Sequence, residues 1–181
     1  MSTSTKNLED DHVHILKLTA VMIAITQGDS PDIDDIENVL EIIRNFADGQ
    51  HHAKEEQIFF PALGEKGFSS RQGPVAVMLN EHTEGRNFVK GIAENLELYK
   101  KGNKEAVSMI YWNMLGYANL LINHISKENN ILFRMADRAL SDSDHNNLLG
   151  KFKTIEQNLP EGKSNADYIN RIDRLSESYN I

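Results

Sequence analysis

The chain has 181 residues, of which 40% are hydrophobic and 25% charged, with a formal net charge of −8 and no cysteine. Usage this ordinary excludes an intrinsically disordered chain and allows one domain with a sizeable core. The acidic balance, without a dense block of Lys or Arg, argues against nucleic-acid binding, and the missing cysteine excludes disulfides, thiolate metal sites and thiol catalysis.

The N-terminal sequence MSTSTKNLEDDH has neither the basic start nor the apolar stretch of a signal peptide. The longest apolar run, around Leu18 to Ile25, is far short of the roughly 20 residues needed to cross a bilayer. A soluble, cytoplasmic protein without a membrane partner is expected. Apolar residues then recur at three- and four-residue steps, which predicts a first helix over about 6–27. Gly28-Asp29-Ser30-Pro31 reads as a turn and helix start, with Ser30 as N-cap and Pro31 at the first helical position. It opens a second helix over 31–61. A loop from Pro61 to Pro74 follows, then a third helix over 74–100. Lys101-Gly102-Asn103 is a tight turn with Asn103 as cap, opening a fourth helix over 103–139. Ser141 and Asp144 have capping-box spacing and start a short helix over about 142–158. Pro160-Glu161-Gly162 breaks the chain before a last one over 165–178.

Strand patterns are absent, so the fold class is all-α. Four long helices with short connections predict an up-down-up-down four-helix bundle over residues 1–140. The two short C-terminal helices, residues 141–181, carry Leu149, Phe152, Ile155, Tyr168, Ile172 and Leu175. They are expected to pack on the bundle or on a partner subunit, and a homodimer is compatible with the sequence.

The second and fourth helices share a motif of His, three residues, Glu. Residues i and i+4 lie one above the other on a helix, so each motif aims an imidazole and a carboxylate at one point. That donor pair suits iron, manganese or zinc. On the second helix, stepping back from His51 gives Ala47, Ile43, Leu40 and Ile36, an apolar stripe. Stepping back from His52 gives Asp48, Asn45, Glu41 and Asn38, a polar one. Periodicity therefore selects His51 and Glu55 over His52 and Glu56. On the fourth helix, His124 and Glu128 lie on a stripe with Val107, Ile110, Met114, Tyr117, Leu121, Leu132 and Met135. His12 shares its stripe with Leu8, Ile15, Leu16 and Thr19, and His82 shares its own with Val75, Met78, Leu79, Val89 and Leu96. His14 lies off the line of His12 and reads as a surface histidine.

At about 1.5 Å per residue, these positions fall at roughly 9–22 Å from one end of the bundle. A lone inward histidine is most often an ordinary core residue. Two inward glutamates at the same level are not, because buried unpaired carboxylates cost several kcal/mol. No inward Lys or Arg is evident to neutralise them, apart from Arg86, four residues after His82. Otherwise a bound pair of dications is the simplest compensation.

The ordered series Asp11-His12, His51-His52-Ala53-Lys54-Glu55-Glu56, Glu81-His82 and His124-Ile125-Ser126-Lys127-Glu128 resembles the hemerythrin-like, or HHE cation-binding, family over roughly residues 8–138. The resemblance implies that His12, His51, His82 and His124 are terminal ligands and that Glu55 and Glu128 bridge two iron ions, with an oxo or hydroxo group or water completing the shell. Zinc or manganese would suit the same donors. Oxygen-carrying members have a second histidine on the third helix, four residues from the first. The corresponding positions here are Met78 and Arg86, which leaves a gap for His52, Glu81 or Tyr117 to fill, with His52 nearest by adjacency. Glu56 and Glu81 read more simply as solvated neighbours.

The resemblance implies a non-haem di-iron binding protein that senses, stores or binds iron or a small diatomic ligand such as dioxygen or nitric oxide. The alternative is a di-iron enzyme acting on oxygen, peroxide or nitric oxide, or an iron donor for cluster repair. Repair relatives carry a cysteine-bearing N-terminal segment, and this sequence contains no cysteine. A third reading is an interaction module whose folding or partner binding is set by metal occupancy.

Overall fold

The computed structural model describes residues 3–28, 30–159 and 163–181. These residues form six helices and, among themselves, no strand. The first, α1, is Ser4–Ile25, capped by the Thr3 side chain, which accepts from the Lys6 N–H. The second, α2, covers 33–65 and changes form along its length. Ile33–Ile42 is α-helical, Ile43–His52 and Glu55–Phe59 are π-helical, and Phe60–Glu65 is α-helical again. Helix α3 is Pro74–Lys100. Helix α4 covers 106–139, with Ala106–Lys127 in α form, a π turn at Glu128–Leu132, and Phe133–Ala139 in α form. The last two are α5, Asp142–Glu156, and α6, Asn165–Ser178.

Several boundaries differ from the sequence expectation. Helix α2 is capped by Asp32, whose carboxylate accepts from the Asp35 N–H at 3.1 Å, and not by Ser30. Asp32 is as good an acceptor as serine, and Asp34 and Asp35 then occupy the positive first turn. Pro61 does not end the helix. The Phe60 N–H bonds the Glu55 carbonyl five residues back, and Pro61, with no N–H to place, sits where π bonding returns to α bonding. The helix stops at Lys66, beyond which Gly67 takes a positive φ of 93°. Helix α4 starts three residues after Asn103, whose carbonyl accepts from the Ala106 N–H. Both C-terminal helices open on capping boxes, Ser141 with Asp144 and Ser164 with Asp167. Asp29 and the Pro160–Gly162 break lie outside the described residues.

The four long helices pack antiparallel around a core, α4 lying between α1 and α3, and α2 closing the ring. That core is in two parts. One holds Ile15, Leu18, Phe46, Ile92, Met114 and Leu121. The other holds Leu8, Phe59, Met78, Leu132, Phe133 and Ala136. On each helix the switch between them falls at a histidine or glutamate: Leu8, His12, Ile15 on α1, and Met78, His82, Val89 on α3. The polar layer therefore cuts the core across all four helices.

The short helices complete both parts. Leu148 and Phe152 of α5 join the second cluster, and Tyr168, Ile172 and Leu175 of α6 join the first. Leu149 and Ile155, expected inside, are half-buried. Helix α5 is also pinned to the start of α1, where buried His145 meets the Ser4 hydroxyl through Nδ1 at 2.9 Å. Two stripe residues are exposed instead of buried, Leu16 and Met135. For Met135 the cause is the π turn just before it, which spends one extra residue and brings Phe133 and Ala136 inward instead.

Candidate metal centre

The layer that divides the core consists of five histidines and two glutamates, all at least 97% buried: His12, His51, His52, Glu55, His82, His124 and Glu128. Six were expected there. The seventh, His52, was placed on a polar face by α-helical periodicity, and the structure corrects that. In a π-helix the hydrogen bonds run i to i+5, so each residue turns less about the axis and two neighbours can face the same way. The Ala53 N–H bonds the Asp48 carbonyl five residues back, and both His51 and His52 enter the core. Such turns are frequent at functional sites. The only sequence signal was the His-His pair beside the gap on α3.

Each histidine aims Nε2 at the centre and holds Nδ1 against an outer partner. His12 Nδ1 meets Asn129 Oδ1 at 2.7 Å, and His51 Nδ1 meets Asp11 Oδ2 at 3.3 Å. His52 Nδ1 meets Asp48 Oδ1 at 3.1 Å, His82 Nδ1 meets Glu56 Oε1 at 2.7 Å, and His124 Nδ1 meets Glu81 Oε2 at 3.0 Å. Glu56 and Glu81 are thus not mere solvated neighbours. Outer carboxylates of this kind fix the tautomer and ring orientation of metal-binding imidazoles. At the centre, Glu55 reaches His51 through Oε1 at 3.6 Å and His82 through Oε2 at 3.4 Å. Glu128 Oε2 lies 3.3 Å from both His12 and His124. Each glutamate links the histidine one turn before it on its own helix to a histidine of one other helix.

The donors fall into two groups with Glu55 in common: His12, His51, Glu55 and Glu128, and His52, Glu55, His82 and His124. In each group one ligand atom per residue lies within 4.8 Å of all the others. All four oxygens of Glu55 and Glu128 are buried with no hydrogen-bond partner among the described residues. Burial without a partner is costly, and no Lys or Arg side chain reaches in to compensate it. Arg86 is turned outward to Asp48 and Glu56. Lys54 is buried but binds Asp11 at 3.0 Å and Glu156 at 2.6 Å. The residues present therefore fit a pair of dications.

The electrostatics agree. Burial opposes charge on His82 and His124, yet the carboxylates beside them overcome it. Glu55 and Glu56 raise His82 to about 9, and Glu128 and Glu81 raise His124 to about 10. His12 is raised in the same way by Glu128 and Glu55. Glu128 is held well below the usual carboxylate range by His124 and His12, against the effect of its burial. The centre is built to hold positive charge. His52 behaves oppositely. Burial, with the charge of His82, pushes it well below its ordinary value, leaving a neutral imidazole stacked on His82 at 3.9 Å between ring centroids. Neutral imidazole is the metal-binding form. Tyr117 is buried on α4, and burial and the Asp48 carboxylate push its hydroxyl up, so it remains protonated. His14 is half-buried off the layer, its ring 6.5 Å from that of Phe46.

Residues 3–136 match the family model of the hemerythrin HHE cation binding domain. Among curated proteins, the iron-sulfur cluster repair protein YtfE of Escherichia coli O157:H7 is 33% identical over 88 residues, covering 48% of this chain and 40% of that protein. The protein of the same name from Pectobacterium atrosepticum is 32% identical over 92 residues, covering 50% and 42%. These matches cover less than half the length of either relative. No solved structure matches the chain. No helix among the described residues is long and apolar enough to cross a membrane.

Proposed function

Because the chain belongs to the hemerythrin HHE cation-binding domain family, we propose that it is a non-haem di-iron binding protein that senses, stores or binds iron or a small diatomic ligand. The observation that carries this reading is the set of four partnerless carboxylate oxygens buried among five imidazoles. His12, His51, Glu55 and Glu128 would hold one ion, and His52, His82 and His124 the other, with Glu55 shared. The bound ions supply one-electron chemistry towards a ligand such as dioxygen or nitric oxide. The chain itself orients the imidazoles through Asp11, Asp48, Glu56, Glu81 and Asn129. The apolar clusters on either side cover the layer along the bundle axis.

Elemental analysis of the iron-loaded protein, with absorption spectra before and after exposure to air, tests the reading. Two irons per chain and a ferric band on oxidation are expected, with both lost in Glu55→Ala. Zinc or manganese retained in preference to iron, or iron retained equally by Glu55→Ala, would overturn it. The likeness to proteins named for iron-sulfur cluster repair favours a second reading, donation of iron to a damaged cluster. Faster cluster recovery in an apo iron-sulfur protein than an equal amount of free ferrous iron gives would support donation, and an equal rate would remove it.

A further inference from the structure

A cavity of about 410 Å³ opens between α2 and α3, with Tyr117 of α4 in its wall, and its inner end is His52. It belongs to no part of the donor layer except that histidine. At roughly 30 Å³ per water, the cavity has room for about fourteen waters, far more than a packing defect. Three things about its walls are unusual for this molecule. First, Arg44, Arg86 and Lys90 outnumber Asp48 and Glu94 around it, on a chain of net charge −8. Second, Arg86 already has two partners, Asp48 and Glu56, and Lys90 lies 3.7 Å from Glu94. Arg44 has no salt-bridge partner among the described residues. Third, two buried side chains that carry polar groups, His52 and Tyr117, line the inner end.

We propose that this cavity is the route and resting place of a small inorganic anion bound for the metal position of His52, His82 and His124, drawn in by Arg44 and Lys90 and held by a hydrogen bond from the Tyr117 hydroxyl. The proposal rests on the di-iron reading above. Arg86 frames the inner wall. By pairing with Asp48 and Glu56 it offsets part of the negative charge on the outer partners of His52 and His82, so an anion passing them does not meet bare carboxylates. A cationic rim on an acidic protein acts on the association rate, since locally focused potential steers small ions into a cleft. A single hydrogen bond at the end of the path acts on dissociation. The division of labour is therefore measurable in separate rate constants.

Azide is the probe, followed by stopped-flow absorption on iron-loaded full-length protein, with the iron content and ferric band of every variant recorded first. The rim variant Arg44→Glu/Lys90→Glu is expected to slow azide association about tenfold at low salt, the difference closing as salt rises. The control Lys151→Glu/Lys153→Glu makes the same change in net charge on exposed positions of α5 and is expected to leave the rate within about twofold. Tyr117→Phe is expected to speed dissociation roughly three- to tenfold, the value of one hydrogen bond, without slowing association. Rim and control variants that slow association equally, or a Tyr117→Phe dissociation rate equal to wild type, in proteins that carry two irons, would overturn the proposal while leaving the di-iron reading intact. A wild-type protein that takes up no iron would remove both.

Discussion

Gly49 lies in the middle of the π-helical stretch Ile43–His52, and replacing it with alanine separates this account of the centre from one built on α-helical periodicity. A Cβ at position 49 would lie 2.6 Å from the carbonyl oxygen of Arg44, five residues back, where real contacts do not go under 3.0 Å. That carbonyl must retreat by at least the 0.4 Å difference. In an α-helix interior the same change is favourable by about 0.5–1 kcal/mol, because glycine loses more backbone freedom on folding. Crowding of a packed interior costs about 1–3 kcal/mol, so Gly49→Ala is expected to destabilise the protein by up to about 2.5 kcal/mol, the crowding less the propensity gain. The strain is relieved by returning 43–52 to α bonding, which swings His52 towards solvent and weakens the second metal position. Gly150→Ala is the matched control. It lies within α5 with nothing inside 4 Å of the added carbon, and is expected to stabilise by about 0.5–1 kcal/mol. Urea denaturation of the metal-free proteins and iron content after loading give both readouts. A Gly49→Ala protein as stabilised as Gly150→Ala, and still holding two irons, would refute the reasoning.

Other perturbations probe the remaining parts. His52→Ala is expected to lower the affinity for the second iron at least about tenfold, measured by competition with a chelator, whereas His14→Ala changes neither iron; equal behaviour of the two variants would exclude His52 from the centre. His82 and His124 are raised to about 9 and about 10 from an ordinary 6.5. Their protonation therefore stabilises the metal-free fold fully below about pH 6.5 and is lost as pH climbs through 9 and 10, so the metal-free melting temperature should fall across that window while iron affinity rises. A melting temperature that climbs instead would contradict the charge balance of the layer. Lys54→Met strands the Asp11 and Glu156 carboxylates and should cost about 1–3 kcal/mol in urea melts; no change would mean that these ion pairs carry no stability. Ile172→Ala, fully buried against the bundle, should cost about 2–5 kcal/mol, and a loss under 0.5 kcal/mol would mean that α6 is peripheral to the fold.

Much of this was legible in the residues. The positions of Leu8, His12 and Ile15, or of Met78, His82 and Val89, repeat at helical spacing, so burial of one member implies burial of the rest. The HxxxE pairs belong to the same class, because four residues in a helix always stack. Of the expected caps, Ser141 with Asp144 was legible in full, whereas Ser30 gave way to Asp32 and Asn103 to a start three residues later. Lys54 could not be read inward, since its partners Asp11 and Glu156 come from helices distant in sequence.

By itself the sequence determined the all-α class, the four long helices, and six of the seven side chains in the polar layer, because each depends on spacing within one helix. The tertiary structure alone decided the π turns in α2 and α4, and through them the inward turn of His52 and the outward turn of Met135. A π turn gives up local hydrogen-bond geometry, so spacing within one helix does not reveal it. What accompanies it here lies across the bundle. His52 stacks on His82 of α3, Asp48 is held by Arg86, and only the bare Cα of Gly49 leaves the Arg44 carbonyl room to come so close.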